Sequence, residues 1–222
     1  MDQPIFDWHF ALSILPQLLQ ASLKTLILTF GGFAIAIVLG LFFALGRRSR
    51  FHWVSWPMAG LIEFIRSTPL LIQVYFLFYV FPNYGLNLTA MQAGLVGIAL
   101  HYACYTAEVY RAGLDAVPRG QWEAVTALNM KPMTAYRNII LPQALRPILP
   151  ALGNYLVAML KDTPVLSAIT VVEIMQQAKN IGSASFRYLE PITLVGLFFL
   201  LLSLALAWCV RRMEDRMELA PR

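Results

Sequence analysis

The sequence predicts an all-α integral membrane protein with five transmembrane helices, and three observations carry that prediction. Of its 222 residues, 59% are hydrophobic and only 13% are charged, whereas soluble domains carry about 25% charged residues. The apolar residues gather into five runs near the ~20 residues that a bilayer-crossing helix needs. The basic residues fall mostly between those runs on a single side of the membrane.

In chain order, residues 6–20 mix Trp8, Phe10, Leu12, Ile14, Leu15 and Leu18 with polar residues and Pro16. That pattern predicts an N-terminal interfacial segment, residues 1–20, lying on the membrane. Asp2 and Asp7 stand where a signal peptide would carry basic residues, so no cleavable signal is expected. Spans follow at about 23–45, 56–81, 89–109, 144–171 and 192–210. All belong to one transmembrane domain, residues 1–222, interrupted by a polar loop at 111–147.

The cations orient these spans. Arg47, Arg48 and Arg50 follow the first; Arg111, Arg119, Lys131, Arg137 and Arg146 lie between the third and fourth; Arg211, Arg212, Arg216 and Arg222 follow the fifth. These are 12 of the 17 Lys and Arg residues. The positive-inside rule therefore places the N-terminus outside, the C-terminus inside and the 111–147 loop in the cytoplasm. This distribution accounts for the net charge of +5 without nucleic acid. Cys104 and Cys209 lie within apolar runs as small hydrophobes, not as a disulfide framework.

The loop is too long for a simple connection, since helix–helix links run about 2–8 residues. After Gly120, residues 121–128 suit two helical turns, in which Glu123 and Ala127, like Ala124 and Leu128, share a face. Small Ala124 and Ala127 would let another protein's backbone approach closely. Asn129 follows where a helix should end in a left-handed cap. Pro132 suits the first turn of a second helix, which Ile139, Ile140 and Leu141 carry to Pro142, where it ends or kinks. On spacing alone, the loop could equally lie on anionic headgroups as membrane-lipid contact.

Charges within the spans are costly and point to function. Lys161 and Asp162 interrupt the fourth span, and Pro164 breaks the helix beside them. Irregular backbone at this depth must be buried in protein or line a cavity. Asp162 is therefore the first candidate for contacting a cationic group of a solute, with Thr163 beside it; the alternative is a structural pairing of Lys161 with Glu108. Glu108 stands three residues from Arg111, which favours a local ion pair over solute contact, and Glu63 with Arg66 makes a second such pair, structural or gate-forming. His101 and Cys104 share a helical face, but a closed zinc site wants four ligands, so core packing is the expected role and no metal is expected.

Several of these segments resemble one family. Gly120-Gln121-Trp122-Glu123-Ala124, Ala127-Leu128, Met130, Ile139, Leu141-Pro142-Gln143-Ala144 resemble the EAA loop of permease subunits of bacterial ABC importers, specifically the polar amino-acid (histidine, glutamate, glutamine, arginine, opine) group. Asn129 replaces the family's glycine. Phe64–Leu71, Ala103–Gly113 and Lys161–Leu166 resemble three further segments of the same group, with Ser67 in place of another glycine. Ectoine and hydroxyectoine permeases are similar members.

The resemblance implies the permease of a type I importer in the bacterial inner membrane. A periplasmic or lipid-anchored binding protein would deliver a small polar or zwitterionic solute, a polar amino acid or an ectoine-like compound. A second permease subunit, identical or related, would complete the path. A dimer of ATP-binding subunits, holding ATP-Mg, would drive it through Gly120, Glu123, Ala124, Ala127, Leu128, Asn129, Leu141 and Pro142. The sequence has no Gly-x-x-x-x-Gly-Lys-Ser/Thr loop to hold nucleotide itself. It also lacks Gly-x-Ser-x-Gly and His-Glu-x-x-His, so an intramembrane enzyme is not expected. A self-sufficient channel or secondary transporter is disfavoured by the absence of an internal repeat and by the small number of spans.

Overall fold

The computed structural model describes residues 5–218, so Asp2, Arg222 and the Arg216 side chain lie outside the described residues. It is helical throughout that range, with eight principal helices. The first, α1, runs unbroken from Trp8 to Arg47 over 40 residues, about 60 Å at 1.5 Å per residue. Asp7 caps it by accepting a hydrogen bond from the Phe10 amide at 3.1 Å. The helix passes Pro16 and absorbs a π-type turn at Ile27–Gly31.

This corrects the expectation of a separate interfacial segment. Residues 8–20 belong to the N-terminal half of the first long helix, and one of its sides meets protein. Ile14 and Leu18 are buried against Ile174, Ala178, Ile181 and Val195. One face of this stretch is packed on protein, and Trp8, Leu12 and Leu19 lie exposed on the other.

The second span is also not a single crossing. Helix α2, His52–Arg66, and helix α3, Leu70–Tyr84, meet at 104°. Pro69 has no N–H to continue a helix and holds an extended backbone (φ −63°, ψ 138°). Proline also biases Thr68 before it away from helical geometry. The chain therefore turns sharply at Ser67-Thr68-Pro69.

Helix α4, Ala90–Asp115, forms the centre of the molecule. Thr89 and Gln92 make a reciprocal capping box at its start. Gly94, Gly97, Ala99, Ala103, Thr106, Ala107 and Gly113 are among its buried residues, which lets neighbouring helices pack closely. Because protein surrounds it, α4 carries more polar side chains than a lipid-facing helix tolerates. Its closest approach is to α1 at Gly40: a Cβ there would lie 2.8 Å from the Ala103 carbonyl oxygen and closer still to Thr106. The Thr106 hydroxyl donates to the Ala36 carbonyl at 2.9 Å across the same seam.

After α4 comes a short helix, α5, Arg119–Ala127. Asn129 takes the left-handed conformation (φ 47°) expected of the cap. Helix α6 then runs from Pro132 to Ile169, with Pro132 in its first turn. Pro142 does not end it: the π-type turn Tyr136–Ile140 precedes that proline and the helix continues. The second loop helix and the fourth span are thus one element. The helix tightens to 3-10 geometry over Thr163–Ile169, beside Pro164 as anticipated.

Helix α7, Ile174–Ser185, occupies what the sequence suggested was a plain loop. Buried Glu173 caps it, accepting from the amides of Met175 (2.9 Å) and Gln176 (2.8 Å). Helix α8, Leu189–Glu218, packs against α6, with Val210 seated on Gly153.

The α1–α4 seam yields a stability prediction. Gly40→Ala should lower stability by about 1–3 kcal/mol through overpacking, read as earlier thermal unfolding in detergent. Gly60→Ala, where nothing lies within 4 Å of the new Cβ, should leave the transition unchanged or slightly raised.

Candidate functional site

Two helix breaks face one another. The α2–α3 break supplies Arg66, Ser67, Thr68, Pro69, Leu70 and Leu71; α4 supplies His101 and Tyr105; the end of regular α-helix in α6 supplies Asp162 and Val165. Together they line an open cleft of about 480 Å³. Two breaks of opposite origin, a proline turn and a 3-10 transition, thus expose polar groups to one space.

Each charged wall is held in place. The Tyr102 hydroxyl donates to Asp162 Oδ2 at 2.7 Å. Tyr102, Tyr105 and Tyr155 cluster around it, with Tyr102 and Tyr155 edge-on at 6.2 Å between centroids. Opposite, the Arg66 guanidinium lies over the Tyr105 ring at 5.4 Å and 3.8 Å from the Glu63 carboxylate. Its Nε is buried without a partner. A cation and an anion thus line one cleft, the arrangement that suits a zwitterion.

The break itself is closed by Gln73. Pro69 leaves the Ile65 carbonyl without its helical donor. The Gln73 side-chain amide supplies one, donating to Ile65 O (2.7 Å), Thr68 Oγ1 (2.9 Å) and Thr68 O (3.0 Å). Its carbonyl oxygen meets His101 Nδ1 at 3.1 Å. Neither Gln73 nor His101 stood out as a site residue in the sequence. A glutamine four residues past a proline on a broken span was the available signal.

Other expected contacts are placed differently. The Thr163 hydroxyl donates to the Leu160 carbonyl at 2.7 Å and is fully buried, so it does not line the cleft. Lys161 points the other way, into a crevice with Phe199, Leu200 and Ser203. It does not pair with Glu108. That carboxylate instead accepts from Arg47 and, at 2.9 and 3.1 Å, from Arg111. Asp115 extends the cluster by bonding Arg48 (2.6 Å) and Arg111 (3.0 Å). Glu108 is therefore committed to tying α1 to α4 at their basic ends.

A second candidate surface lies at that end. Helix α5 has no buried residue. Gly120, Glu123, Ala124, Ala127, Leu128 and Asn129 are all exposed, as are Leu141 and Pro142 at the start of the long part of α6. Leu128 is 71% exposed and nearby Met133 79%. Trp122 fixes the helix by packing edge-on against Tyr136 at 5.7 Å, and Gln143 reaches Gln121 at 3.3 Å. The helix is anchored mainly through Trp122 and Gln121 and leaves its other side chains exposed, a candidate docking face. Among the described residues no group of His, Cys, Asp and Glu could hold a metal ion.

Comparison with known proteins follows the same lines. Residues 36–219 match a family model described as binding-protein-dependent transport system inner membrane component. A probable amino-acid ABC transporter permease of Sinorhizobium fredii is 48% identical over 202 residues, covering 91% of this chain and 87% of that one. The glutamine transport system permease of Escherichia coli is 33% identical over 217 residues, 96% of this chain and 99% of the relative. A solved amino acid ABC transporter, crystallised with histidines, superposes with a TM-score of 0.91 at 34% identity, covering 95% and 99% of the two chains. The methionine ABC transporter in an inward-facing form shares the fold, with a TM-score of 0.77 at 19% identity, covering 92% and 98%.

Gln73→Leu should remove the side-chain donor of the Thr68 carbonyl and leave the Ile65 carbonyl only its longer bonds from Thr68, costing about 1–3 kcal/mol of stability. Thermal unfolding in detergent would show this as a lowered midpoint, with accelerated hydrogen exchange confined at first to residues 65–73.

Proposed function

Because the chain belongs to the binding-protein-dependent transport system inner membrane component family, we propose that it is the permease subunit of an importer that moves a polar amino acid inward at the expense of ATP hydrolysed by a partner. The exposed face of α5 carries this reading. It is a short helix held to the fold through Trp122 and otherwise exposed, placed at the end where the arginines gather, as a surface struck by an ATPase must be.

The 12 cations that follow the first, third and fifth apolar runs in the sequence favour a cytoplasmic position for α5 and an external N-terminus. Gly120, Glu123, Ala124, Ala127, Leu128, Asn129, Leu141 and Pro142 would form the contact with a dimer of ATP-binding subunits, which hold ATP-Mg. Asn129 turns the chain directly from α5 into α6. Helix α6 then continues without interruption to Asp162. Movement of the docking helix is thus transmitted along one helix to the cleft. A second permease subunit, identical or related, would complete the path, and an external binding protein would deliver the solute.

Within the cleft, Arg66 suits a carboxylate and Asp162 an ammonium, amidinium or imidazolium group. The relatives' names favour amino acids. Ectoine carries the same pair of charges and belongs in the same panel of trial solutes.

Two outcomes test the reading in reconstituted vesicles with the partner subunits. Glu123→Arg should abolish uptake and its coupling to ATP hydrolysis while leaving membrane insertion intact; wild-type uptake in that variant refutes the docking role. Asp162→Asn should raise the KM for cationic or zwitterionic solutes about tenfold or more, the scale of a lost hydrogen bond to a charged group. Unchanged uptake kinetics would make Asp162 purely structural.

A further inference from the structure

The hydrogen bonds around Gln73 determine which nitrogen of His101 carries a proton. Ile65 O and Thr68 O can only accept, so the atom of Gln73 facing them at 2.7 and 3.0 Å is the amide nitrogen. Turning the amide over would set an oxygen against two carbonyl oxygens. The remaining atom, Gln73 Oε1, is therefore an acceptor, and it faces His101 Nδ1 at 3.1 Å. A bare Nδ1 would place two acceptors against each other there. Nδ1 must carry the hydrogen.

The consequence lies on the opposite side of the ring. In a neutral imidazole with Nδ1 protonated, Nε2 is a bare acceptor. It has no protein partner among the described hydrogen bonds. It is also absent from the buried, unpartnered polar side-chain atoms, Arg66 Nε and Ser203 Oγ, among the described residues. Nε2 is therefore open, and the cleft is the space that His101 lines, with Asp162, Arg66 and Tyr105. Tyr105 packs on the ring at 5.1 Å and Tyr102 at 5.5 Å, so the imidazole is fixed in orientation.

We propose that Gln73 locks His101 in its Nδ1–H form, so that the free Nε2 accepts an N–H from the ammonium or amidinium group of the solute beside Asp162. His101 is then a solute contact and Gln73 its positioning residue. A cleft built this way accepts at two points on the cationic group. It therefore favours solutes with several N–H donors over quaternary ammonium compounds, which have none. The inference rests on the permease reading given above and adds the residue that selects among nitrogenous solutes.

The test compares two variants in the intact transporter, reconstituted with its partner subunits and assayed for uptake. His101→Asn places an amide near Nδ1, keeping a partner for Gln73 while removing the acceptor at Nε2. His101→Gln reaches the Nε2 position and restores an acceptor there. KM for a primary-ammonium solute should rise about tenfold or more in His101→Asn, with the maximal rate little changed, and stay within about threefold of wild type in His101→Gln. The N-trimethylated form of the same solute should compete poorly in wild type, and His101→Asn should lose much of that discrimination. Equal KM in wild type and His101→Asn overturns the proposal, as does a tenfold rise in His101→Gln. If His101→Asn fails to assemble, His101→Gln alone decides by the same criterion. Failure of wild type to transport any ammonium-bearing solute would instead refute the permease reading, so the two failures are distinguishable.

Discussion

Backbone that leaves helical geometry within a membrane must find its hydrogen bonds in protein, and the functional part of this structure depends on how that requirement is met. Pro69 denies the Ile65 carbonyl its regular helical donor, and that carbonyl accepts instead from Thr68 and, at the shortest distance, from Gln73. The α6 helix tightens at Thr163, whose hydroxyl bonds back to Leu160. Each repair is made within the chain, so each break can sit against α4 with its freed backbone groups bonded. The two repaired breaks meet, and their meeting creates a polar cleft at the one place where Arg66 and Asp162 can face the same space. The 104° turn is thus a precondition of the site.

Helix α6 joins this cleft to the surface. One of its ends carries Asp162, held by Tyr102; the other abuts α5, which offers Leu128 and its neighbours to solvent. Pro142 would divide a regular helix, but the π-type turn before it spares the clash and keeps the element continuous. Continuity matters because a push on α5 is useful only if it reaches the cleft. The ion pairs of Glu108 and Asp115 with Arg47, Arg48 and Arg111 clamp α1 to α4 at the same end. They provide a fixed frame against which α6 can move.

Much of this was legible in the sequence because the signals were physical and local. Apolar runs and asymmetric cations gave the class of fold, Asn129 read correctly as a left-handed cap, and the pairing of Asp162 with Pro164 marked the break. Errors arose where tertiary contacts decide. Residues 6–20 looked interfacial because apolar and polar residues are mixed there, but Ile14 and Leu18 are buried by α7 and α8, which sequence periodicity cannot show. Residues 56–81 read as one span because hydropathy is blind to a bend. Lys161 and Glu108 looked like partners by sign alone, yet Glu108 is taken by Arg47 and Arg111 while Lys161 lines a crevice beside α8. His101 is buried, in keeping with its reading as core, but its partner Gln73 lies 28 residues away on another helix and could not be found by spacing.

The central claim is that α5 is the surface through which a partner's ATPase acts on α6 and the cleft. Hydrogen exchange measured on the chain alone and on the assembled transporter tests it most directly. The account predicts strong protection of residues 121–129 on assembly, with a change at residues 160–169 when nucleotide is added. Exchange at 121–129 that is equally fast in both states, with protection appearing on another face, would contradict it.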